Sequence, residues 1–583
     1  MKGAGKKLPE NVELLLLSLL VGLGAGLAAV LLLKGIEFIQ SFVFPLINKG
    51  GFSWMALAFP ALGMLLSLLL VRYLVKDNIS HGVTKVLLSV SRNESRIKPH
   101  NMWSSLLTSA LTIGFGGSVG AEAPIVYTGA AFGSNIARKA RLSYRGMTVL
   151  LGCGAAGAIA GIFKAPLAGV LFTLEILLFN ISMSSIMPLL IATLTATVVS
   201  YFFMGPQSPF SCTLAPFNMG NLPYYLVLGI FCGVVSQYFT RFTLWLEDRI
   251  QKDLRSPWLR WAVCAIGLGV LIFFFPPLFG EGYDSVSQLL NGGELTPGSD
   301  PNPFMFLLKS PWGMPVFLVL VLLLKVVSMT LTNAGGGVGG TFGPTLFEGA
   351  ILGFIIARTA NLLGTSLPEQ NFALVGMAGL MAGVMQAPMT AIFLIAEITG
   401  GYELLMPLIL CATVSYGVVR IRERYSIYTK RIAQSGDLLT HDSDQAVLTL
   451  LHTRDLIRDK YPRLRDDAAL EEVSDVISGS TAAVFPVLDS DGRFVGMLEM
   501  DDIRKHMFEK DSFGKLHVRD LMHAPADFVF EDEKMESVMR KFDRTGVWRL
   551  PVITRERIYL GFISRSRILA AYREELKLIT SED

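Results

Sequence analysis

The residues best placed to do chemistry lie where glycine interrupts apolar sequence. Gly116-Gly117-Ser118-Val119-Gly120-Ala121-Glu122-Ala123-Pro124 carries one carboxylate, Glu122, in a region almost without charge. From Asn101 to Asn180 the charged side chains are Glu122, Arg138, Lys139, Arg141, Arg145, Lys164 and Glu175. Glycine frees the backbone from helical geometry and lets it approach a ligand closely. At membrane depth such backbone persists only where protein buries it or where it lines a wet cavity. An ionisable residue there points to an ion or proton pathway. The competing reading is a solvated glutamate in a flexible turn, and the cost of unsatisfied backbone in lipid argues against it.

A second stretch repeats the first. Gly336-Gly337-Val338-Gly339-Gly340-Thr341-Phe342-Gly343-Pro344 aligns at an offset of 220, with Gly116 on Gly336, Gly120 on Gly340 and Pro124 on Pro344. Phe163-Lys164-Ala165-Pro166 through Glu175-Ile176 answers Met385-Gln386-Ala387-Pro388 through Glu397-Ile398 at an offset of 222. Paired Gly/Pro-interrupted apolar segments in corresponding halves are the sequence sign of a midplane binding site in a repeat-built transporter.

Two other patterns have the form of soluble-enzyme motifs. Gly152-Cys153-Gly154-Ala155-Ala156-Gly157 fits G-x-G-x-x-G, but a dinucleotide site needs a strand before it and a βαβ unit around it. Small residues that let helices pack closely explain it better. Gly116–Gly120 fits G-x-S-x-G, yet no strand feeds it and no Ser…Asp…His order follows. No H-E-x-x-H and no histidine cluster offers a metal site.

The elements that must position these residues read as membrane helices. Lys6 and Lys7 precede an apolar run, Leu14–Leu33, closed by Lys34; it is too long for a signal peptide and lacks a clear small-residue cleavage site. The lysines would hold the N-terminus in the cytoplasm. Trp54–Val75 is a second span, and Ser80-His81-Gly82-Val83-Thr84 opens a helical segment over Lys85–Val90. From Leu106 to Tyr201 the apolar segments are short, with breaks expected at Gly114–Gly120, Gly152–Gly157 and Ala165-Pro166. Such lengths suit half-crossing helices better than straight spans of about 20 residues. Tyr224–Leu244 and Trp258–Phe279 are longer, and Gly280–Lys309 reads as a polar, Pro/Gly-rich outside loop. Pro315–Leu331, Leu346–Leu363, Phe372–Val384, Pro388–Thr399 and Leu404–Val419 follow.

Composition agrees. The chain of 583 residues is 51% hydrophobic and 17% charged, with a mean hydropathy of +0.49, too apolar for an ordinary soluble protein. A net charge of +3 gives no case for nucleic-acid binding. The five cysteines lie in apolar stretches without metal-ligand spacing and imply no disulfide framework. After Val419 the charge density rises sharply, and the basic onset fits a cytoplasmic location. Within this tail Ala482–Asp489, Gly492 and Phe494–Leu498 read as strand, turn, strand, then a helix near Asp501-Asp502. Val547–Ile553, Leu560–Ile563 and a helix from Ser566 repeat the order.

These residues resemble the CLC family of chloride channels and chloride/proton antiporters over nearly the whole chain. Gly120-Ala121-Glu122-Ala123-Pro124 is similar to the family's G-R-E-G-P, which puts Glu122 at the gating glutamate. Gly340-Thr341-Phe342-Gly343-Pro344 fits G-x-F-x-P, and the A-P-L-A-G-x-L-F-x-x-E run around Pro166 is also characteristic. Ile427-Tyr428 falls where the family has its ion-coordinating tyrosine, with Tyr425 a weaker candidate. The resemblance implies an all-α polytopic membrane protein of two inverted repeats with broken helices, plus a cytosolic α/β pair of CBS domains. The membrane part would cover residues 1–430, with repeats at about 14–205 and 223–420; the tail would cover 431–583, with CBS units at about 450–510 and 516–575. It further implies a homodimer with one ion pathway per subunit in a bacterial inner membrane, both termini cytoplasmic.

By the same resemblance, chloride or a similar anion would meet His81, Gly82, Ala121, Glu122, Thr341, Phe342 and Tyr428. No cofactor is required, and no metal or nucleic acid is implied. The breaks would aim helix N-termini at the midplane, partial positive charges that suit an anion without a fixed cation to trap it. Three departures matter. The family's G-S-G-I-P is here Ser80-His81-Gly82-Val83-Thr84, so His81 stands at the serine ligand position, where it either donates to an anion or packs and bonds to backbone. The arginine of G-R-E-G-P is Ala121 and its second glycine is Ala123. The inner proton-transfer glutamate of antiporters is replaced by Ile176, and the adjacent Glu175, about 100° round the helix, has a repeat partner in Glu397 that suggests a structural role. In the tail Asp502 matches the ribose-binding aspartate of CBS modules, while its counterpart is Arg567; adenine nucleotide binding would be weak and asymmetric, with pure dimerisation the alternative.

The resemblance implies transmembrane transport of chloride or a similar small anion through a glutamate-gated pathway, channel-like or loosely coupled to protons. A strictly coupled chloride/proton antiporter is the alternative. A CBS-regulated cation transporter should need several pore carboxylates, and a membrane enzyme lacks its catalytic constellation.

Overall fold

The computed structural model describes residues 10–48, 55–92, 95–177, 183–206, 210, 214–291, 310–434, 451–504, 506 and 515–580. The chain divides into two compact units, residues 1–439 and 440–583. In the first, eight helices among the described residues are long and apolar enough to cross a membrane. Large apolar side chains such as Phe202, Ile266 and Phe38 stand on the outside of this unit, as they must where lipid is the solvent.

The first half of this unit runs α1 (Glu10–Asn48), α2 (Met55–Leu69, continued by a π turn over Leu70–Val75), α3 (Gly82–Arg92), α4 (Ser104–Gly114), α5 (Glu122–Ala140), α6 (Tyr144–Phe163), α7 (Pro166–Glu175) and α8 (Met183–Met204). The second runs α9 (Leu222–Asp253), α10 (Pro257–Phe274), α11 (Tyr283–Leu290), α12 (Gly313–Ala334), α13 (Phe342–Leu362), α14 (Glu369–Met385), α15 (Pro388–Ile398), α16 (Leu405–Arg420) and α17 (Ile427–Gln434).

The two halves repeat each other down to single bonds. Gly116 and Gly336 both take left-handed backbone, φ +99° and +103°, where a side chain would be strained. Gly117 N–H donates to Thr112 O at 2.8 Å, and Gly337 N–H to Thr332 O at 2.9 Å. The halves then exchange bonds: Ser118 N–H donates to Thr332 Oγ1 at 3.1 Å and Val338 N–H to Thr112 Oγ1 at 3.0 Å. Such reciprocal contacts are what a pseudo-twofold axis between inverted halves produces.

Three sequence readings need correction. Gly152–Gly157 is no break: it lies inside the unbroken α6. Its glycines serve close packing, since a Cβ on Gly154 would fall 1.9 Å from Gly129 O of α5. The first apolar run does not stop at Lys34. Lys34 pairs with Glu37 one turn on, at 2.8 Å, and α1 continues to Asn48, about 58 Å at 1.5 Å per residue. The Gly280–Lys309 segment is not simply an outside loop, because Tyr283–Leu290 forms α11 and packs on α13 and α14; residues 292–309 of that segment lie outside the described residues.

The tail unit holds two three-stranded sheets. In the first, β1 (Leu464–Arg465) runs parallel to β2 (Val484–Leu488), which pairs antiparallel with β3 (Phe494–Glu499). In the second, β4 (Val529–Phe530), β5 (Arg549–Ile553) and β6 (Tyr559–Ser564) repeat that order. One face of each sheet packs with α18 (Leu470–Ser478) or α21 (Met535–Thr545), and Leu488, Phe494, Ile553, Tyr559 and Phe562 are buried in a further cluster. Short helices α19 (Met500–Arg504) and α20 (Val518–Leu521), and the terminal α22 (Arg565–Thr580), complete it.

Candidate functional site

The two glycine breaks meet. Gly120 N–H donates to Gly340 O at 3.0 Å and Gly340 N–H to Gly120 O at 2.7 Å, an isolated antiparallel bridge in the interior of the bundle. The bridge sets the N-termini of α5 and α13 side by side, so their free N–H groups share one small volume. No side chain fits there: a Cβ on Gly120 would lie 2.2 Å from a Glu122 carboxylate oxygen and 2.7 Å from Gly343 N. Glu122, at the first position of α5, is 1% exposed. Its Oε2 accepts from Gly343 N–H of α13 at 3.1 Å, and its Oε1 accepts from the Tyr283 hydroxyl at 2.5 Å. The carboxylate therefore occupies a helix N-terminus of the opposite half, a position that suits any small anion.

The second carboxylate of the site comes from the segment before α11. Glu281 Oε1 accepts from Ala121 N–H, at the start of α5, at 2.9 Å. Lys325 of α12, with no exposed surface, holds the same segment: its Nζ donates to Gly280 O at 2.9 Å, to Glu281 O at 3.2 Å and to Ser118 Oγ in the first break at 2.9 Å. The ammonium also lies 4.7 Å from the centroid of the Phe347 ring. A fixed cation does stand behind the break, contrary to the sequence reading. It is spent on a hydroxyl and two carbonyls, which lets it brace the loop without facing the bridge. Glu348 of α13, fully buried, is an electrostatic neighbour of Lys325.

The remaining expected ligands lie around the same junction. The Thr341 hydroxyl donates to the Tyr428 hydroxyl at 3.3 Å, and both residues are buried. Phe342 packs between Phe163 and Phe172, with ring centroids 5.5 and 6.4 Å away. Gly82 sits against the first turn of α5, where a Cβ would fall 2.3 Å from Ala123 O. Ala121 offers only its backbone N–H, which Glu281 already occupies. Tyr425 has a cation–π contact with Arg424, 5.6 Å from the ring centroid, and no bond to Thr341 is found for it among the described residues.

His81 takes neither of the two roles weighed for it. Its Nδ1 accepts from Arg431 Nη1 at 2.8 Å and its Nε2 donates to Glu247 Oε1 at 2.6 Å, while Arg431 Nη2 bonds Glu247 Oε2 at 2.6 Å. This closed triad ties α3, α9 and α17 together. It lies on the opposite face of the bundle from Glu281: α10, 18 residues and about 27 Å long, separates the end of α9 from the Glu281 segment.

Glu175 and Glu397 form a reciprocal pair. Glu175, in the last turn of α7, accepts from Met389 N–H at 3.0 Å and from Thr390 N–H and Oγ1 at 2.6 and 2.7 Å, at the start of α15. Glu397, in the last turn of α15, accepts from Leu167 and Ala168 N–H at 3.0 and 2.9 Å, at the start of α7. Each caps the helix that carries its partner, a structural role shared by both halves. Ile176 is buried beside Glu175 and has no proton to exchange.

In the tail, Asp502 Oδ2 accepts from Glu499 N–H at 3.1 Å and pairs with His523 Nδ1 at 3.2 Å. At its counterpart Arg567 the backbone N–H donates to Ser564 Oγ at 3.3 Å. Among the described residues no group of three or more His, Cys, Asp or Glu could hold a metal ion.

Sequence reasoning passed over Glu281, Tyr283 and Lys325. Lys325 did leave a signal, a lone charge inside a 22-residue apolar helix, which in a membrane marks function. Glu281 left a weaker one: it stands between Gly280 and Gly282, both with positive φ.

Comparison with known proteins places this arrangement. The family model described as voltage gated chloride channel matches residues 62–420, more than half the chain, and the CBS domain model matches 454–509 and 518–574. A putative chloride channel protein ClcB-like from Ralstonia nicotianae is 28% identical over 395 residues, 66% of this chain and 87% of that protein. An H(+)/Cl(−) exchange transporter ClcA from Cronobacter sakazakii is 28% identical over 422 residues, 68% of this chain and 85% of that one. The crystal structure of a slow cyanobacterial Cl−/H+ antiporter superposes with a TM-score of 0.61 at 23% identity, over 73% of this chain and 98% of that one. Two inverted halves joined at their glycine breaks, a carboxylate seated on the junction and these matches lead to one assignment: the chain belongs to the voltage gated chloride channel (CLC) family of anion-transporting, multi-pass membrane proteins, and carries two CBS domains.

Proposed function

We propose that this chain carries chloride, or a similar small anion, along a pathway gated by Glu122, as a channel or with loose proton coupling. The observation that carries the reading is the Glu122 carboxylate on the Gly343 amide, at the bridged N-termini of α5 and α13. An ionised carboxylate there competes with the permeating anion for the same N–H groups. Protonation, or displacement by the anion, clears the path. Thr341, Phe342 and Tyr428 border the central position, Gly82 and Ala121 close it with backbone, and His81 enters by holding Arg431 at the inner mouth.

Coupling needs a titratable group at each end of the proton's route, since moving charge through apolar protein is costly. Glu122 supplies the outer end. At the inner end Ile176 is inert, and Glu175 has both oxygens committed to α15. Strict antiport is the second reading, favoured by the exchange transporter among the relatives. The protein would work as a homodimer in a bacterial inner membrane, with both termini on the cytoplasmic side. The reversal potential in liposomes under opposed chloride and proton gradients separates the two readings. Loose coupling or none leaves it close to the chloride equilibrium potential; a strong shift with the pH gradient at fixed chloride means strict antiport.

A further inference from the structure

The bridged breaks expose two helix N-termini, and each holds a carboxylate. Glu122 takes the start of α13, through Gly343 N–H. Glu281 takes the start of α5, through Ala121 N–H, the amide directly before Glu122. An anion using both N-termini must contend with both carboxylates. We propose that Glu281 is a second gating carboxylate, and that the pathway opens fully only when Glu122 and Glu281 have both released their amides.

The placement of Glu281 is built. Gly280 N–H donates to Gly116 O at 3.1 Å, and Lys325 binds the carbonyls of Gly280 and Glu281 while holding Ser118 of the break. Gly282 then turns the chain at φ +88° so that Tyr283, the next residue, reaches Glu122. One short clamped segment thus supplies the rival carboxylate for α5 and the hydroxyl that steadies Glu122. Glu122 is buried, whereas Glu281 is partly exposed and Asp284 near it is exposed. Glu281 is therefore the more accessible acid of the two.

The groups facing Glu281 are Glu122 from α5, Lys325 from α12 and Asp284 from α11. Lys325 in turn faces Glu348 from α13. Glu122 is faced by Tyr283 and by Tyr428. Two acids so close disfavour joint ionisation, so acidification neutralises them in turn. A proton arriving from water at Glu281 removes the negative charge that holds Ala121 N–H, and the neutral carboxyl, a weaker acceptor, gives that amide up more readily to an anion.

The inference rests on the Glu122 gate, and the test separates the two. Full-length protein is reconstituted in liposomes and chloride flux is followed against pH on the Glu281 side. A single titrating gate changes flux at most about tenfold per pH unit, and two acting together up to about a hundredfold. Wild type should exceed the tenfold limit. Glu122→Gln and Glu281→Gln should each fall to about tenfold per unit or less, the double variant should be flat, and Glu281→Asp should restore the steeper profile. If Glu122→Gln is already flat, Glu281 is no gate and the Glu122 assignment stands. If the double variant keeps the slope of Glu122→Gln, the residual titration belongs elsewhere and the inference fails. If Glu122→Gln matches wild type throughout, the Glu122 gate itself fails, and the inference with it.

Discussion

Four carboxylates of the membrane unit sit on four helix N-termini, and they divide into two pairs. Glu175 and Glu397 each span two successive amides of one helix with both oxygens, and each leaves from the last turn of the helix whose start its partner caps. The contacts form a closed ring, and neither carboxylate can leave without stranding two N–H groups. Glu122 holds one amide and one phenol hydroxyl, and Glu281 holds one amide. A helix N-terminus favours negative charge in all four places. What differs is how many bonds must break together, and that number separates a staple from a gate.

The largest effect that would break this comparison is in flux. Glu122→Gln keeps the side chain's shape and removes its charge, so its hold on Gly343 weakens and the anion meets less competition. Chloride flux at neutral pH should rise by about tenfold or more, since the neutral amide no longer competes as an anion for the Gly343 N–H. Stopped-flow chloride efflux from liposomes checks this. Unchanged flux would mean that Glu122, like Glu397, is a staple.

The next effect is in stability. Glu175→Ala or Glu397→Ala leaves two amides without partners, a loss of about 1–3 kcal/mol given the modest value of single bonds in bilayers. Flux per folded protein should keep its wild-type pH profile. Thermal unfolding in detergent, run beside flux, measures both. A changed pH profile with unchanged stability would reverse the assignment of the two pairs.

How much of this division could be read from sequence depends on what each residue needs around it. Glu122 was legible because it is a lone carboxylate in a glycine break that recurs 220 residues later. The Glu175–Glu397 pair was legible for the same reason, as two carboxylates at matching repeat positions. In the tail, short apolar runs at Val484–Leu488 and Arg549–Ile553, each followed by a turn and a second apolar run, gave both sheets, and both faces of these strands are buried. Glu281 and Tyr283 were not legible. They lie in a polar Gly/Pro-rich segment whose composition is that of any surface loop, and long-range contacts, the clamp by Lys325 and the Gly280 N–H bond to Gly116 O among them, fold it onto the bridge. Gly152–Gly157 shows the converse: glycine that breaks a helix and glycine that lets two helices touch have the same composition. Hydropathy marks depth in lipid, which is why the apolar run ended at Lys34 while α1 did not.

A smaller effect sharpens the gate itself. The Tyr283 hydroxyl donates to Glu122 Oε1 and steadies the seated carboxylate. Tyr283→Phe removes about 0.5–1.5 kcal/mol of that hold. Flux at neutral pH should therefore rise by about twofold to tenfold, less than in Glu122→Gln, with the half-maximal pH moved upward. Reduced flux would show instead that the hydroxyl serves the anion.

The smallest effect is expected in the tail, where Asp502 resembles the staples more than the gate. Its Oδ2 is bonded to Glu499 N–H, at the start of its own helix α19, and paired with His523. A ribose would have to displace His523 to reach that carboxylate, and at the repeat position Arg567 offers no acceptor for sugar hydroxyls. Adenine nucleotides should therefore bind the full-length protein weakly, at no more than one site per chain. Since the His523 pair is a half-exposed ion pair, Asp502→Asn should change thermal stability by less than about 1 kcal/mol. Calorimetric titration with adenosine nucleotides, before and after Asp502→Asn, measures the first claim, and a melting curve the second. Two equivalent tight sites per chain would overturn the reading of Asp502 as a structural cap.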